Sequence, residues 1–506
     1  MELSDISDGQ RNAKWTRVCA IAILAISIAY ALMLPSGGLS SMSYDGFRYL
    51  AGADSILASG SYLDISGASQ SHWPPGTSIL YAAAASLSGA PPEELVKPLN
   101  LAALLLMAGS LWLIIATTIE RWWIAVITFA SILLNTSILS LQNKFWSDPL
   151  ALATSSAAIA SGIVACRAGK NWFGWICVAS VFLSISICFR YAMLPAIPIL
   201  ALAALWLSKR SSSHRGAVFL PLLLPPLLML ISFYFVRPSN APHLPFSIRT
   251  VNSIGSFDFK GYWKAFAQMA DQVIPNALFA TWLSIILVGT ILIAVPIGVT
   301  FVAQKFQQRG ALLICVGYVL VSCVFLALVP VISTFSFGMN YRYLLQIYPF
   351  ILIGSAIAAN VLLNRQQLSS RILSLIIVGL LSIAAARSTR AALLGILGHG
   401  SQQPGSCVSA TTILDELKRT PATQNPSGAL TNIQGLSWYA MRIPTANLTW
   451  RALAEARSGT IIIFARPEFT CPEVVEHKDI SEMALTISPA VEIVSSSGAL
   501  LIGRKQ

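Results

Sequence analysis

The chain has 506 residues, of which 55% are hydrophobic and only 11% charged, with a mean hydropathy of +0.68. Soluble domains carry about a quarter charged residues, so a chain this poor in charge lies mostly in lipid. The net charge of +12 excludes little by itself, but its Lys and Arg stand in short clusters between apolar runs. That is a membrane-topology signal and not a nucleic-acid face.

A membrane-spanning helix needs about 20 mostly apolar residues. In chain order the candidates are 16–34, 98–118, 122–141, 149–165, 172–189, 192–208, 216–236, 277–303, 311–333, 343–363 and 372–388, eleven in all. The first run is too long for a signal-peptide core and has no small-x-small cleavage site, so it is expected to remain as a helix. The segment 75–90 (PGTSILYAAAASLSGA) is short, rich in Ala and Ser, and bracketed by Pro74-Pro75 and Pro91-Pro92.

Charge decides whether 75–90 crosses. Loops on the cytoplasmic side carry an excess of Lys and Arg. If it does not cross, one side collects Arg11, Lys14 and Arg17, then Arg121, Arg167 and Lys170, Lys209, Arg210 and Arg215, Lys305 and Arg309, Arg365 and Arg371. Past the N-terminus only Glu120 is acidic on that side. If it crosses, the later clusters change sides. The sequence therefore predicts a non-spanning, re-entrant or interfacial helix at 75–90 and a cytoplasmic N-terminus. The outer face then holds the first loop (36–97), QNKFWSDP at 142–149, the loop 237–276 with FSFGMNYR at 335–342, and the tail.

The expected fold class is a polytopic α-helical membrane protein, residues 1–388, followed by a small extracytoplasmic α/β domain, residues 389–506. In the tail, 408–419 reads as a helix, and 429–432, 461–465 and the VEIV and ALLIG runs read as strands. Cys19, Cys166, Cys177, Cys188, Cys315 and Cys323 lie in or beside apolar segments without metal-ligand spacing and read as buried thiols. Cys407 and Cys471 fall in the polar tail, where an oxidising compartment would allow a disulfide. No repeat of fixed period supports a duplicated transporter.

Four constellations on the outer face carry charge. Asp45 opens an amphipathic stretch, with Arg48 one turn on and Tyr49 beside it, followed by His72 and Trp73. Asp148 precedes an apolar helix, near Lys144 and Trp146. An N-cap role explains either carboxylate equally well. Arg190 with Tyr191 ends a span, where an arginine can also simply snorkel. Arg342 stands between Tyr341 and Tyr343, and an aromatic belt accounts for the tyrosines as well.

Taken in order, these motifs resemble the GT-C glycosyltransferases. Asp45, Arg48 and Tyr49 are similar to the D-E-x-R-Y stretch of the aminoarabinose transferases and to relatives among the protein mannosyltransferases. Pro74-Pro75 opens a non-spanning helix, Ser147-Asp148-Pro149 matches a second-loop S-D-P or S-E-P, and Arg342 to Pro349 matches a late R-Y-x-x-x-x-x-P run. A short α/β tail also fits the bacterial members. Two positions depart: Gly46 follows Asp45 where an acid is usual, and Trp73 stands where the aminoarabinose branch often has Lys.

The resemblance implies a polyprenyl-phosphate sugar donor in the bilayer and a lipid, glycan or protein acceptor. Asp45 is then the expected base and Asp148 its catalytic partner. Arg342, Arg48, Lys144, His72 and Arg190 are the expected donor-phosphate ligands, with Tyr49, Tyr341, Tyr343 and Trp73 against substrate. No cofactor is required, though Asp45 and Asp148 leave room for a divalent cation, Mg or Mn. The expected location is the inner membrane of a bacterium with the tail in the periplasm. The rival readings are a flippase or transporter of lipid-linked sugars, and an O-antigen polymerase or ligase, whose large loop lies late in the chain.

Overall fold

The structure, a computed structural model, describes residues 3–34, 44–70, 73–211, 214–236, 259–274, 281–332 and 341–397, and in the tail 417, 429–431, 437, 445–447, 460–465, 491–496 and 500–505. Helix α1 (Leu3–Met33) is followed by two shorter helices, α2 (Tyr44–Ser59) and α3 (Gly76–Ser88), and then by α4 (Val96–Thr118). Thirteen residues of α3 rise about 20 Å, against roughly 30 Å of hydrocarbon. The Lys97 ammonium at the start of α4 donates to the Leu32 carbonyl at the end of α1, 2.7 Å away. The first loop therefore leaves and re-enters at the same end of the bundle, and 75–90 does not cross.

Helices α2 and α3 are held closely by glycines. A Cβ on Gly52 of α2 would lie 2.3 Å from the Tyr62 ring and 2.7 Å from the Ser78 hydroxyl. One on Gly76 would lie 2.5 Å from the Cys188 carbonyl oxygen. Both contacts are impossible for a larger residue without displacement, so the first loop sits directly on the bundle.

The next expected span, 122–141, is broken. Helix α5 (Trp122–Leu133) and α6 (Thr136–Ser140) meet at a bend of 42°. The cause is local: the Asn135 side chain accepts from the Ser137 and Ile138 amides and caps a new helix. Then come α7 (Asp148–Ala165), α8 (Trp172–Phe189), α9 (Ala196–Ser211) and α10 (Phe219–Phe235). Helix α7 is buried almost throughout and rich in Ala and Ser, and it packs on α4 and α8. Small side chains let helix backbones approach in lipid, where packing and not water exclusion holds helices together.

An amphipathic helix that the sequence reading left as loop, α11 (Phe259–Val273), follows. It buries Tyr262, Ala265, Met269, Ala270 and Val273 and exposes Trp263, Lys260 and Lys264. Helices α12 (Thr281–Val288) and α13 (Val295–Val302) form one span through a π-helical stretch, Gly289–Ala294. The bundle closes with α14 (Phe306–Ile332), the short α15 (Tyr341–Leu344), α16 (Tyr348–Leu363) and α17 (Leu368–Ile396).

Among the described residues nine helices are long and apolar enough to span, ten if the bent α5–α6 pair counts as one span. Helix α16, at 16 residues, is the shorter apolar one. These match the eleven expected segments in order. The basic interhelical loops meet at one end. Lys305 pairs with Glu120, Asn364 Nδ2 donates to the other Glu120 oxygen at 3.3 Å, Arg365 bonds the Val302 carbonyl at 2.7 Å, and Arg167 bonds that of Thr117.

The tail forms a five-stranded mixed sheet in the order β2-β1-β3-β5-β4, from β1 (Ala429–Thr431), β2 (Thr445–Asn447), β3 (Ile461–Ala465), β4 (Val491–Ser496) and β5 (Leu500–Lys505). Strand β1 runs parallel to β2 and β3, and β5 antiparallel to β3 and β4. The expected strands are present, with β2 added. The expected helix 408–419 lies outside the described residues apart from Leu417. The Thr445 amide donates to the Ile65 carbonyl at 2.8 Å, joining the sheet to the first loop.

Candidate active site

Four residues that the sequence holds far apart converge at the end of the bundle opposite the basic loops. Asp45 lies in the first turn of α2, where a carboxylate is favoured by the helix dipole. Asp148 is the first residue of α7 and precedes Pro149, which fits a first helical turn because it lacks an amide hydrogen. Arg190 is the extended residue that ends α8. Arg342 lies in α15, a single turn between α14 and α16.

Arg342 bridges the two carboxylates. Its Nη2 is 2.6 Å from Asp45 Oδ2 and its Nε 3.2 Å from Asp148 Oδ2. Arg190 Nη1 donates to the same Asp148 oxygen at 2.6 Å and to the Ser147 hydroxyl at 3.4 Å. The guanidinium of Arg342 stacks 4.4 Å above the Trp146 ring and that of Arg190 5.0 Å above Tyr343. Indole and phenol faces attract cations, so the aromatic neighbours fix the planes of both forks.

The cluster has a buried end and an open end. The Arg190 and Asp148 side chains are 9% and 1% exposed, whereas Arg342 and Asp45 are each 16% exposed. Burial alone would lower the Arg342 pKa, but Asp148 and Asp45 more than reverse that, and the net shift is upward. The guanidinium is a permanent cation. Asp148 Oδ1 is buried and has no hydrogen-bond partner among the described residues.

Tyr49 is buried under this cluster. Its hydroxyl donates to Ser147 Oγ at 3.0 Å, its carbonyl accepts from Ser78 at 2.8 Å, and Trp73 lies 6.2 Å from its ring. Burial, and next the charge of Asp45, pushes the phenol pKa up, so it stays a neutral donor. Arg48 pairs with Asp64 at 3.6 Å, inside the first loop. The Lys144 carbonyl accepts from Asn100 at 2.9 Å, which fixes the loop that carries Trp146. His72, the Tyr341 side chain, Cys407 and Cys471 lie outside the described residues.

Ser147 and Asp64 are the residues that sequence reasoning did not place here. Ser147 was visible within Ser147-Asp148-Pro149. Asp64 begins a turn with Ser66 and Gly67, its carboxylate accepting from the Ser66 and Ala68 amides at 2.8 and 3.2 Å, a recognisable Asx pattern. Among the described residues no group of three or more His, Cys, Asp and Glu is placed to hold a metal.

No protein-family model and no curated protein sequence matches the chain. Solved structures do. The structure of ArnT from Cupriavidus metallidurans bound to undecaprenyl phosphate is 11% identical, with a TM-score of 0.60 over 97% of this chain and 98% of that one. The archaeal oligosaccharyltransferase AglB from Archaeoglobus fulgidus, in complex with an inhibitory peptide and a dolichol-phosphate, is 12% identical, with a TM-score of 0.52 over 97% and 74%. The arabinofuranosyltransferase AftD from Mycobacteria is 14% identical, with a TM-score of 0.50 over 97% and 40%. Over 97% of its length the chain shares the fold of the ArnT and AglB structures.

Proposed function

We propose that the protein transfers a sugar from a polyprenyl-phosphate donor to an acceptor hydroxyl on the outer side of a bacterial inner membrane. The observation that supports this most is the Asp45–Arg342 pair. A carboxylate and a guanidinium touch at the open end of an otherwise buried cluster, at the edge of the bundle where a lipid phosphate would arrive. Two of the fold's structural neighbours were solved with polyprenyl-type phosphates, undecaprenyl phosphate and dolichol-phosphate.

The reaction needs a base and a charge stabiliser side by side. As the acceptor oxygen bonds to the anomeric carbon, the carbon–oxygen bond to phosphate breaks and its electron pair stays on the phosphate. Asp45 takes the acceptor proton. Arg342 neutralises the leaving phosphate with two fixed N–H donors, a geometry that lysine lacks. In the resting cluster two carboxylates balance two guanidiniums. An arriving phosphate replaces Asp45 as the partner of Arg342, and Asp45 is released as a base at the moment the substrate is in place.

A single displacement of this kind inverts the anomeric centre. Asp148, held by Arg190, aims Arg342 and acts as a positioning residue. If a divalent cation takes part, Asp45 and the unpartnered Asp148 Oδ1 would hold it, adding positive charge beside the leaving phosphate.

The test is a mass-spectrometric profile of envelope glycans and glycolipids in a deletion strain carrying either the wild-type gene or Asp45→Asn at equal protein level. Loss of one sugar-sized mass in the variant supports transfer and names the sugar class and acceptor. Matching profiles, with the wild-type gene still correcting the deletion phenotype, would move lipid-linked sugar transport to the front.

A further inference from the structure

At the opposite end of the bundle lies a cleft of about 730 Å³ that the transfer reaction does not use. It is lined by Thr16 and Arg17 of α1, Trp112 and Ala116 near the end of α4, Glu120 and Arg121 of the following loop, and Trp122 and Trp123 of α5. From Arg17 to Met33, α1 rises about 24 Å. The cleft thus lies at the far end of α1 from Met33, beside the basic loops.

Its charge is unbalanced. Glu120 is compensated by Lys305 and by the Asn364 amide. Arg121 donates to the neutral Asn364 side chain, 3.4 Å away. Arg17 has no ion-pair partner among the described residues. Among the described residues, two guanidiniums therefore line the cleft with no carboxylate left to pair them. Three indoles share it, and Trp is the side chain suited to the level of lipid headgroups. The lining continues from this charged rim along the spans through Trp112, Ala116 and Ala125. Free phosphate would fill only a small part of such a volume, whereas a headgroup with its glycerol uses both the cations and the apolar wall.

We propose that this cleft is a binding site for an anionic glycerophospholipid of the leaflet opposite the Asp45 site, its phosphate held by Arg17 and Arg121. The assignment does not depend on sugar transfer. Each basic side chain near a membrane surface contributes about 1 kcal/mol toward anionic lipid, so the pair should favour phosphatidylglycerol over phosphatidylcholine by roughly tenfold or more.

The experiment is native mass spectrometry of the full chain in detergent, titrated with the two lipids bearing identical acyl chains. Arg17→Gln/Arg121→Gln should retain both equally, while Arg17→Lys/Arg121→Lys, which keeps the charge, should retain the preference. A thermal melt establishes that each variant is folded. Equal retention of both lipids by the wild type would overturn the proposal. So would an unchanged preference in the Gln pair, or displacement of phosphatidylglycerol by inorganic phosphate alone.

Discussion

The Asp45–Arg342 pair is a structural contact as well as the proposed reacting pair, and a double-mutant cycle separates the two roles. Removing one partner of a buried ion pair costs about 3–5 kcal/mol. Here both side chains are 16% exposed, and Asp45 is also supported by the α2 dipole. Arg342→Gln should therefore destabilise by about 2 kcal/mol, since Asp148 keeps Arg190. Asp45→Asn should cost about 1 kcal/mol, because Arg342 keeps Asp148. In the double variant neither charge is stranded, and a coupling of about 1–2 kcal/mol should be recovered. Thermal melts of the purified protein measure that recovery. Transfer, read as the missing sugar mass in the envelope profile, should stay abolished in all three variants. If the double variant regains transfer together with stability, Arg342 is only a counter-charge, and the proposed mechanism is wrong.

Arg342→Lys keeps the charge but not the fork, and transfer should fall by about 10²–10³ at near-normal protein level; activity within tenfold of wild type would remove bidentate phosphate contact from the account. Tyr49→Phe deletes one buried hydrogen bond to Ser147 and should lower stability by about 1 kcal/mol, with transfer reduced less than in either Asp45 or Arg342 variants. Gly76→Ala places a methyl 2.5 Å from the Cys188 carbonyl, so α3 must move off α8 at a cost of about 1–3 kcal/mol; a melt unchanged from wild type would mean that the first loop does not seat there.

The spans were legible because lipid imposes a simple demand, a run of apolar residues about 20 long. That 75–90 does not cross was legible because basic loops alternate with the spans. The bond from Lys97 to Leu32 confirms that the ends of the first loop lie together. The break at Asn135 was also written locally, as an Asn-Thr-Ser cap inside an apolar run, but hydropathy averages over such a signal. Helix α11 escaped because Lys260 and Lys264 interrupt it, although Tyr262, Ala265 and Met269 carry its helical period. Asp45, Asp148, Arg190 and Arg342 could each be named from their place before or after a span. Which cation meets which carboxylate could not, because Arg342 and Asp45 are 297 residues apart. Arg48, three residues from Asp45, turns instead to Asp64, which local spacing does not reveal.

The division of labour between the two carboxylates follows from their surroundings. Asp148 is 1% exposed, and one of its oxygens accepts from Arg190 and lies within ion-pair distance of Arg342. Held in this way, it is placed to orient Arg342, the role proposed for it. Among the described residues Asp45 pairs with Arg342 alone, at the open end, and in the proposed mechanism that partner has an alternative in an incoming phosphate. On the proposed mechanism, Arg342 turns to the phosphate and Asp45 is left without its counter-charge. On that mechanism substrate binding frees the base that takes the acceptor proton, and without a lipid phosphate the carboxylate stays paired with Arg342.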